Sequence, residues 1–455
     1  MEDYFKKIKM SYLLLAGFTR RTSFSMAGAL LSRGEKIIIC DLVSDPEKKA
    51  LISKLAAAGP GNVIDLLGRQ TPDILDEYSV STVLPSPGVP LSIPLVAEAR
   101  KRKIPVIGDI ELFYTYNNKS RYIGITGTDG KTTTTNLVFE MVKKDHKAFI
   151  GGNVGIPVFE HYGKAGPDSI VVLELSSFQL ETIETFRPAA AACLNIAQDH
   201  LDRYISMTSY VNAKKNIFSN QTKDDIAILN LDSPYFNYLK KGLLSRISTF
   251  SIQNSRADIY MKGGVIYFKG APYIGREDIK LKGVHNVENA MAAILMSDFA
   301  GAGDNAIRET LNSFSGLEHR LEFVRKINGV EYYNDAKSTT ANSLEKALLS
   351  FDSPVVLIAG GRDKGLSFRN LRSLAHKKIK KLILIGEAAE KLEKELSFPG
   401  SCRADSLDEA VKYAYAAASC GDVVILSPGC ASFDMFRNYE ERGKKFKELV
   451  NLLGI

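Results

Sequence analysis

The sequence predicts an α/β protein of three successive blocks, because short apolar runs alternate with helix-spaced segments along most of its 455 residues. Two further observations support that class. The apolar runs fall well short of the ~20 residues a membrane span needs. Many lead directly into glycine-rich or polar turns, the place where open α/β sheets bind ligands. A content of 45% hydrophobic and 24% charged residues fits an ordinary soluble globular chain, and the length suggests several domains.

In the first block the strand-like runs are "YLLLAG", "KIIICD", "VSTVLPSPG" and "IPVIGD", and a parallel sheet is expected. The opening turn "GFTRRTSFS" stands where a dinucleotide-binding turn would carry three glycines, but it has one glycine and two arginines. Arg20 and Arg21 also have the outline of a twin-arginine export signal. The apolar segments around them are short and soon interrupted by Arg33, Glu35 and Lys36, so no signal is expected.

The second block opens with "RYIGITGTDGKTTTTN" and continues through strand-like "SIVVLELSS", "AAACLNIA" and "DIAILNLD". From Ile247 to Lys282 the pattern alternates between turns and predicts an antiparallel ribbon. A helix over "NVENAMAAILMSDFAGAG" follows. The third block repeats the theme with "VEYYNDAKST", "SPVVLIAGGRDKG", "KLILIGEAAEKL" and "GDVVILSPGCASFD". The expected domains are 1–110, 111–316 and 317–455.

The sharpest chemical signal is Gly127-Thr128-Asp129-Gly130-Lys131-Thr132 between a strand and a helix. Glycines let backbone N–H groups close around phosphate oxygens, Lys131 reaches the outer phosphates and Thr132 offers a hydroxyl to Mg²⁺. Ile125 stands where the strict motif has its first glycine, which leaves a plain strand-to-helix turn as the alternative; strand, G-K-T and helix together make ATP or another nucleoside triphosphate the working ligand. Glu174 ends an apolar strand, where it reads as a Mg²⁺ ligand or as a satisfied helix N-terminal group. Asp199, His200 and Asp202 cluster after another strand, with His200 either a metal ligand or structural. Lys214 lies on a helix whose lysines would normally face solvent.

His285, Asn286 and Asn289 begin a helix, and His319 and Arg320 mark the second boundary. There an arginine clamps a phosphate or makes an interdomain salt bridge. Asp335, Lys337, Ser338 and Thr339 fill a strand-to-helix turn, with "GGRDKGLSF" and "LSPGCASFD" at later strand ends. The five cysteines (Cys40, Cys193, Cys402, Cys420, Cys430) are scattered and never at C-x-x-C spacing, which argues against a disulfide framework or zinc site and fits a reducing cytoplasm. Cys430 lacks a neighbouring base and reads as inert. The formal charge of +7 is spread over many segments, which fits small phosphorylated substrates better than nucleic acid.

Taken together, "SPGVP", "GDIELF", "GITGTDGKTTT", "GGNVGIP", "LELSSFQLE", "LNIAQDHLDRY", "HNVENA", "HRLEFV", "NDAKSTT", "GGRDKG" and "LSPGCASFDMFRNYEERG" resemble the Mur ligase family, in particular its D-glutamate-adding members. The glycine-lysine loop alone would also fit folylpolyglutamate-type ligases. The resemblance implies a Rossmann-like UDP-binding domain, a central P-loop-type ATP-binding α/β domain and a C-terminal Rossmann-like domain. It implies a cytoplasmic monomer joining the L-alanine carboxylate of UDP-MurNAc-L-Ala to the amine of D-glutamate, with ATP forming an acyl phosphate. Gly127, Thr128, Asp129, Gly130, Lys131, Thr132 and Thr133 match ATP-phosphate positions, and Asn286, Arg320 and Asp335 complete the nucleotide site. Thr132 and Glu174 match ligands of one Mg²⁺; Glu174 and His200 match those of a second. Lys214 matches a lysine carbamylated in the family, supporting the metal, and Lys337 lies near the transferred phosphate. Asn153 and Ser176 match the muramoyl-alanine site. Thr339, Lys364, Ser432 and Phe433 match the D-glutamate site, and Thr22, Ser23 and Asp41 the UDP site, where Arg20 or Arg21 would assist the hydroxyls. Gln198 and Ala336 depart from the usual motifs, and the opening turn departs most.

Overall fold

The computed structural model describes residues 11–153, 155–199, 203–363 and 365–454. The chain forms two compact units, 1–276 with 288–310 and 277–287 with 311–455. Three sheets carry the fold, two in the first unit and one in the second.

The first sheet contains β1 (Tyr12–Ala16), β2 (Lys36–Asp41), β3 (Val63–Leu67) and β4 (Val80–Pro85) in the order β3-β2-β1-β4, all parallel. Its central strands are apolar except for Lys36 and Asp41 at the ends of β2, because both faces are covered. Leu13, Leu15, Ile37 and Ile39 enter one core, while Leu14, Ala16, Ile38 and Cys40 enter another. β3 escapes the sequence reading because it is a half-buried edge strand. "IPVIGD" corrects that reading in the other direction: it makes only an isolated bridge, Val83 to Val106, since Pro105 has no N–H to extend a ladder.

The second sheet has nine strands: β5 (Arg121–Thr126), β6 (Lys147–Gly152), β7 (Ser169–Glu174), β8 (Ala190–Cys193), β9 (Ile226–Asn230), β10 (Arg246–Ser251), β11 (Ile259–Lys262), β12 (Val265–Phe268) and β13 (Ala271–Gly275). Their order is β13-β12-β11-β10-β9-β8-β5-β7-β6. The expected antiparallel ribbon begins later than Ile247. β10 pairs parallel with β9, and β11 parallel with β10; only β11, β12 and β13 form an antiparallel meander. Alternation in β10 reflects an exposed Ile247 beside a buried Ser248 and Phe250, which the sequence pattern does not distinguish from a ribbon.

Glu111 joins two parts of this unit. It sits on the helix Asp109–Tyr116, is buried, and accepts the backbone N–H groups of Glu184, Thr185 and Phe186 at 2.9, 2.8 and 2.9 Å, together with the Thr185 hydroxyl. Arg33, the C-cap of the helix Thr22–Ser32, donates to the Tyr162 hydroxyl at 2.7 Å and lies over the Tyr116 ring at 4.1 Å.

In the second unit the sheet runs β14 (Glu322–Ile327), β15 (Val330–Asn334), β19 (Val423–Leu426), β16 (Val355–Gly360), β17 (Ile379–Ile385) and β18 (Cys402–Arg403). Only the β14–β15 pair is antiparallel. Along β16, Val355, Leu357 and Ala359 face one core and Val356 and Ile358 the other.

Replacing Glu111 with alanine would leave the N–H groups of Glu184, Thr185 and Phe186, the last of them buried, without their acceptor. We expect Glu111→Ala to destabilise the first unit by about 3 to 5 kcal/mol. Thermal unfolding followed by circular dichroism should show the first transition lowered by several degrees.

Candidate active site

Three strands of the second sheet end together around the loop Gly127–Gly130. β5 pairs with β7, with Ile125 opposite Glu174, and with β8, with Thr126 opposite Cys193. Gly127 and Gly130 adopt φ of +153° and +79°, conformations that side chains disfavour. A methyl group on Gly130 would also lie 2.2 Å from the Asn289 Oδ1. The helix Lys131–Val142 then starts with no side-chain cap and no acidic residue in its first turn. Such a positive helix end suits an anion.

A network from β8 and the next helix holds the loop. Asn195 accepts from the Asp129 N–H at 2.8 Å, donates to the Asp129 carbonyl at 3.0 Å, and its own carbonyl accepts from Thr128 N at 3.0 Å. The Thr128 hydroxyl accepts from Ala197 N at 2.9 Å and contacts the Tyr210 hydroxyl at 3.1 Å. Asn195 and Tyr210 were not singled out from sequence. Tyr210 stands one helical turn before Lys214, and Asn195 is the first polar side chain after the β8 run, signals with meaning only once the strands are assembled.

Two lysines converge on one carbonyl. The Gly127 oxygen accepts from Lys131 Nζ at 2.9 Å and from Lys214 Nζ at 2.8 Å, and Lys131 also donates to the Thr128 carbonyl at 2.8 Å. Lys214 is buried rather than on a solvated face, and lies over the Tyr210 ring at 4.7 Å. Burial, with the nearby Lys131 charge, lowers its ammonium to about 7.

Glu174 is buried at the end of β7. Its Oε1 accepts from Asn153 Nδ2 at 2.7 Å, and its backbone carbonyl accepts from Asn153 N at 2.8 Å. Gly152 makes this approach possible: at φ +96°, a methyl group there would lie 2.3 Å from the Glu174 carbonyl oxygen. Glu174 Oε2 is buried with no hydrogen-bond partner among the described residues. A buried carboxylate oxygen in that state fits a divalent cation, and Mg²⁺ in phosphate sites typically takes only one or two carboxylates. His200 lies outside the described residues; among those described, no group of three or more His, Cys, Asp or Glu gathers as a metal cage. Ser176 caps the short helix Ser177–Leu180 in a capping box with Gln179.

In the opening turn, Gly17 at φ +84° is required, since a methyl group there would meet Val89 Cγ2 at 2.4 Å. Ser23 is buried and braces the turn, accepting from Thr19 N at 3.1 Å and donating to the Gly17 carbonyl at 3.2 Å. Thr22 starts the helix and is half-buried. Asp41 accepts from Phe18 N at 2.7 Å and Val43 N at 2.8 Å and pairs with Lys48 at 2.9 Å. Burial opposes ionisation of Asp41, but these donors outweigh it and hold its carboxyl below the usual range. The two arginines diverge. Arg20 forms an exposed pair with Glu47 at 3.2 Å, whereas the Arg21 guanidinium would lie 3.7 Å from a methyl group on Gly155, near the Asn153 turn.

The second unit assembles its own strand-end cluster. Asp335 is buried, accepts from the Ser427 hydroxyl at 2.8 Å and from Leu321 N at 3.2 Å, and burial pushes its carboxyl up to about 7. Lys337 Nζ donates to the Tyr439 hydroxyl at 3.3 Å, Thr339 is half-buried, Ser432 is buried and Phe433 is exposed. Arg442, fully buried on the helix Tyr439–Leu452, donates to the carbonyls of Ala336, Cys430 and Ala431 at 2.9, 3.1 and 3.3 Å. It therefore ties together the loops that carry Lys337 and Ser432. Asn286 donates to the Lys282 carbonyl at 2.6 Å. Arg320 lies between His319 and Leu321, both at positive φ (66° and 44°). Lys364 lies outside the described residues.

Comparison with known proteins bears on both units. Residues 125–297 match the Mur ligase middle domain, and 319–430 match the Mur ligase glutamate ligase domain. The chain is 40% identical to the UDP-N-acetylmuramoylalanine–D-glutamate ligase of Geotalea daltonii, covering 98% of each chain. It is 38% identical to the enzyme of that name from Clostridioides difficile, covering 98% of this chain and 99% of the other. Among solved structures, the UDP-N-acetylmuramate-alanine ligase of Thermotoga maritima superposes with a TM-score of 0.61 at 18% identity, over 97% of this chain and 99% of that one. A MurF structure from Acinetobacter baumannii gives 0.60 at 16% identity, over 96% and 93%. At those identities the structural matches speak for the fold.

The Asn195 clamp yields a prediction. Asn195→Ala should release Asp129 and loosen the loop, weakening nucleoside triphosphate binding about tenfold. Calorimetric titration of wild type and variant checks this.

Proposed function

This chain belongs to the Mur ligase family, and from that membership we infer that it catalyses the ATP-dependent ligation of D-glutamate to UDP-N-acetylmuramoyl-L-alanine in peptidoglycan precursor synthesis. Ligases of this family use ATP and typically need Mg²⁺. The observation that best supports the chemistry is the pairing of Lys131 and Lys214 on the Gly127 carbonyl, beside a helix start with no acidic residue in its first turn and a buried Glu174 oxygen without a hydrogen-bond partner among the described residues.

A carboxylate is a poor acyl donor, because its leaving group would be oxide. Phosphorylation of the L-alanine carboxylate by the γ-phosphoryl group of ATP supplies a better one; the D-glutamate amine then attacks the carbonyl and phosphate leaves. In our reading, the 127–133 segment binds the phosphates through backbone N–H groups, with Lys131 leaving the loop carbonyls to reach them. Asn286, Arg320 and Asp335 belong to nucleotide binding. Thr132 and Glu174 would hold one Mg²⁺, and Glu174 and His200 a second; these ions would neutralise the transferring phosphoryl group. Asn153 and Ser176 bind the muramoyl-alanine portion. Thr22, Ser23, Asp41 and Arg21 serve the UDP end, with Arg20 set aside because of its exposed pairing with Glu47. Lys337 acts near the transferred phosphate. Thr339, Lys364, Ser432 and Phe433 receive D-glutamate, whose two carboxylates suit a lysine and hydroxyls.

Lys214 carries the most specific part of the reading. Carbamylation requires a neutral amine, and an ammonium lowered to about 7 supplies one at physiological pH. The product is an anion able to support the metal. We also propose domains at 1–110, 111–316 and 317–455, a monomer and a cytoplasmic location. Among the described residues no helix is long and apolar enough to cross a membrane.

Two assays test these assignments. ADP release should require both UDP-MurNAc-L-Ala and D-glutamate; equal turnover with L-glutamate and a folate, or ATP loss with neither acceptor, would refute the activity. Lys214→Ala should lose nearly all activity and recover part of it with short-chain carboxylic acids, as measured by the same ADP assay. Full activity without additives would exclude the carbamate.

A further inference from the structure

Asp109 is a carboxylate that the proposed chemistry leaves unused. It opens the helix Asp109–Tyr116, is buried with 3% exposure, and faces a small cavity lined by Ser86, Phe178, Gln179 and Arg203. Its side-chain contact there is Gln179 Nε2, at 3.2 and 3.4 Å from the two carboxylate oxygens. Arg203, the cationic group of the same cavity, pairs with Glu181 at 2.8 Å and lies over the Phe178 ring at 4.0 Å. Burial pushes the Asp109 carboxyl up to about 6, so it remains ionised at neutral pH.

An ionised carboxylate only accepts hydrogen bonds, so Gln179 must turn its amide nitrogen toward Asp109. The amide oxygen then points at Ser176, where it accepts from the backbone N–H at 3.2 Å and from the hydroxyl at 3.2 Å. The Ser176 hydroxyl in turn accepts from Gln179 N at 3.2 Å. With its proton committed to Gln179, what Ser176 retains for a ligand is a lone pair.

We propose that Asp109 is a positioning residue: by fixing the Gln179 amide in one orientation it makes Ser176 a hydrogen-bond acceptor, selecting an N–H or O–H donor on the muramoyl-alanine substrate. This rests on the reading that Ser176 contacts that substrate. Such a contact favours a substrate carrying an amide N–H close to its reacting carboxylate over an ester or N-alkylated analogue.

The test exchanges the two side chains. Gln179→Glu sets two carboxylates face to face; assayed at about pH 8.5, where both tend to ionise, it should raise the KM for UDP-MurNAc-L-Ala about tenfold and leave the KM for ATP within about twofold. The double variant D109N/Q179E restores a donor facing an acceptor with the roles reversed, and should return the KM to within about threefold of wild type. A general packing defect would not be repaired by that exchange. The inference is overturned if Q179E keeps the wild-type KM, or if the double variant is no better than Q179E. Ser176→Ala separates the two levels of the claim. If wild type ligates D-glutamate and S176A keeps its KM, Ser176 is not a substrate contact and the relay falls with that reading; if S176A raises KM while Q179E does not, the relay alone falls.

Discussion

Two ammonium groups donating to one backbone carbonyl is the constraint around which the first unit is organised. Like charges gather in a buried setting only where something holds them. Here Lys131 is held by its place at the start of a helix and Lys214 by the helix Met207–Lys215, with Gly127 O between them. The arrangement leaves an excess of positive charge at a helix N-terminus, and a polyphosphate is the ligand that relieves it. Burial above all, with the same crowding, depresses Lys214. A residue that would otherwise be an ordinary cation thus has a substantial neutral, nucleophilic fraction at neutral pH.

The remainder of the unit keeps those groups in register. Asn195 and Tyr210 fix the loop from the β8 side. Gly152 lets the Asn153 turn lie directly on Glu174, so that one carboxylate oxygen is taken and the other is available. The second unit uses the same device, strand ends braced from behind. There the brace is Arg442, a buried guanidinium solvated by three loop carbonyls. Burial lowers its basicity to about 10, which still leaves it charged at neutral pH.

Features set by local chemistry were legible in the sequence. The glycine-lysine loop, the parallel alternation of strands and helices, and the long helix Val284–Ala300 depend on residues close together in the chain. Those depending on distant partners were not. β6 ends in Gly151 and Gly152 and carries little strand signal, yet it pairs with β7 along its whole length. β14 is a partly exposed antiparallel edge strand, absent from the strand-like runs of the third block. In the site, the bracing of its own turn by Ser23, a residue matched to the UDP end, shows only once the turn is folded. Lys214 looked like a surface lysine because helical spacing does not show what packs on it. Asn289 was passed over in favour of Asn286, and only the fold brings it against Gly130.

The charge on Lys214 is suppressed by burial and by Lys131, and a bound anion relieves the second of these. NMR titration of Lys214 in carbon-dioxide-free buffer tests it directly. A bound anion favours the protonated amine, and Lys131 drawn onto phosphate repels Lys214 less, so both effects raise the pKa. Lys214 should titrate near 7 in the free protein and move upward when ADP is added without Mg²⁺. Titration at the ordinary lysine value in the free protein, or a downward shift on adding nucleotide, would contradict it.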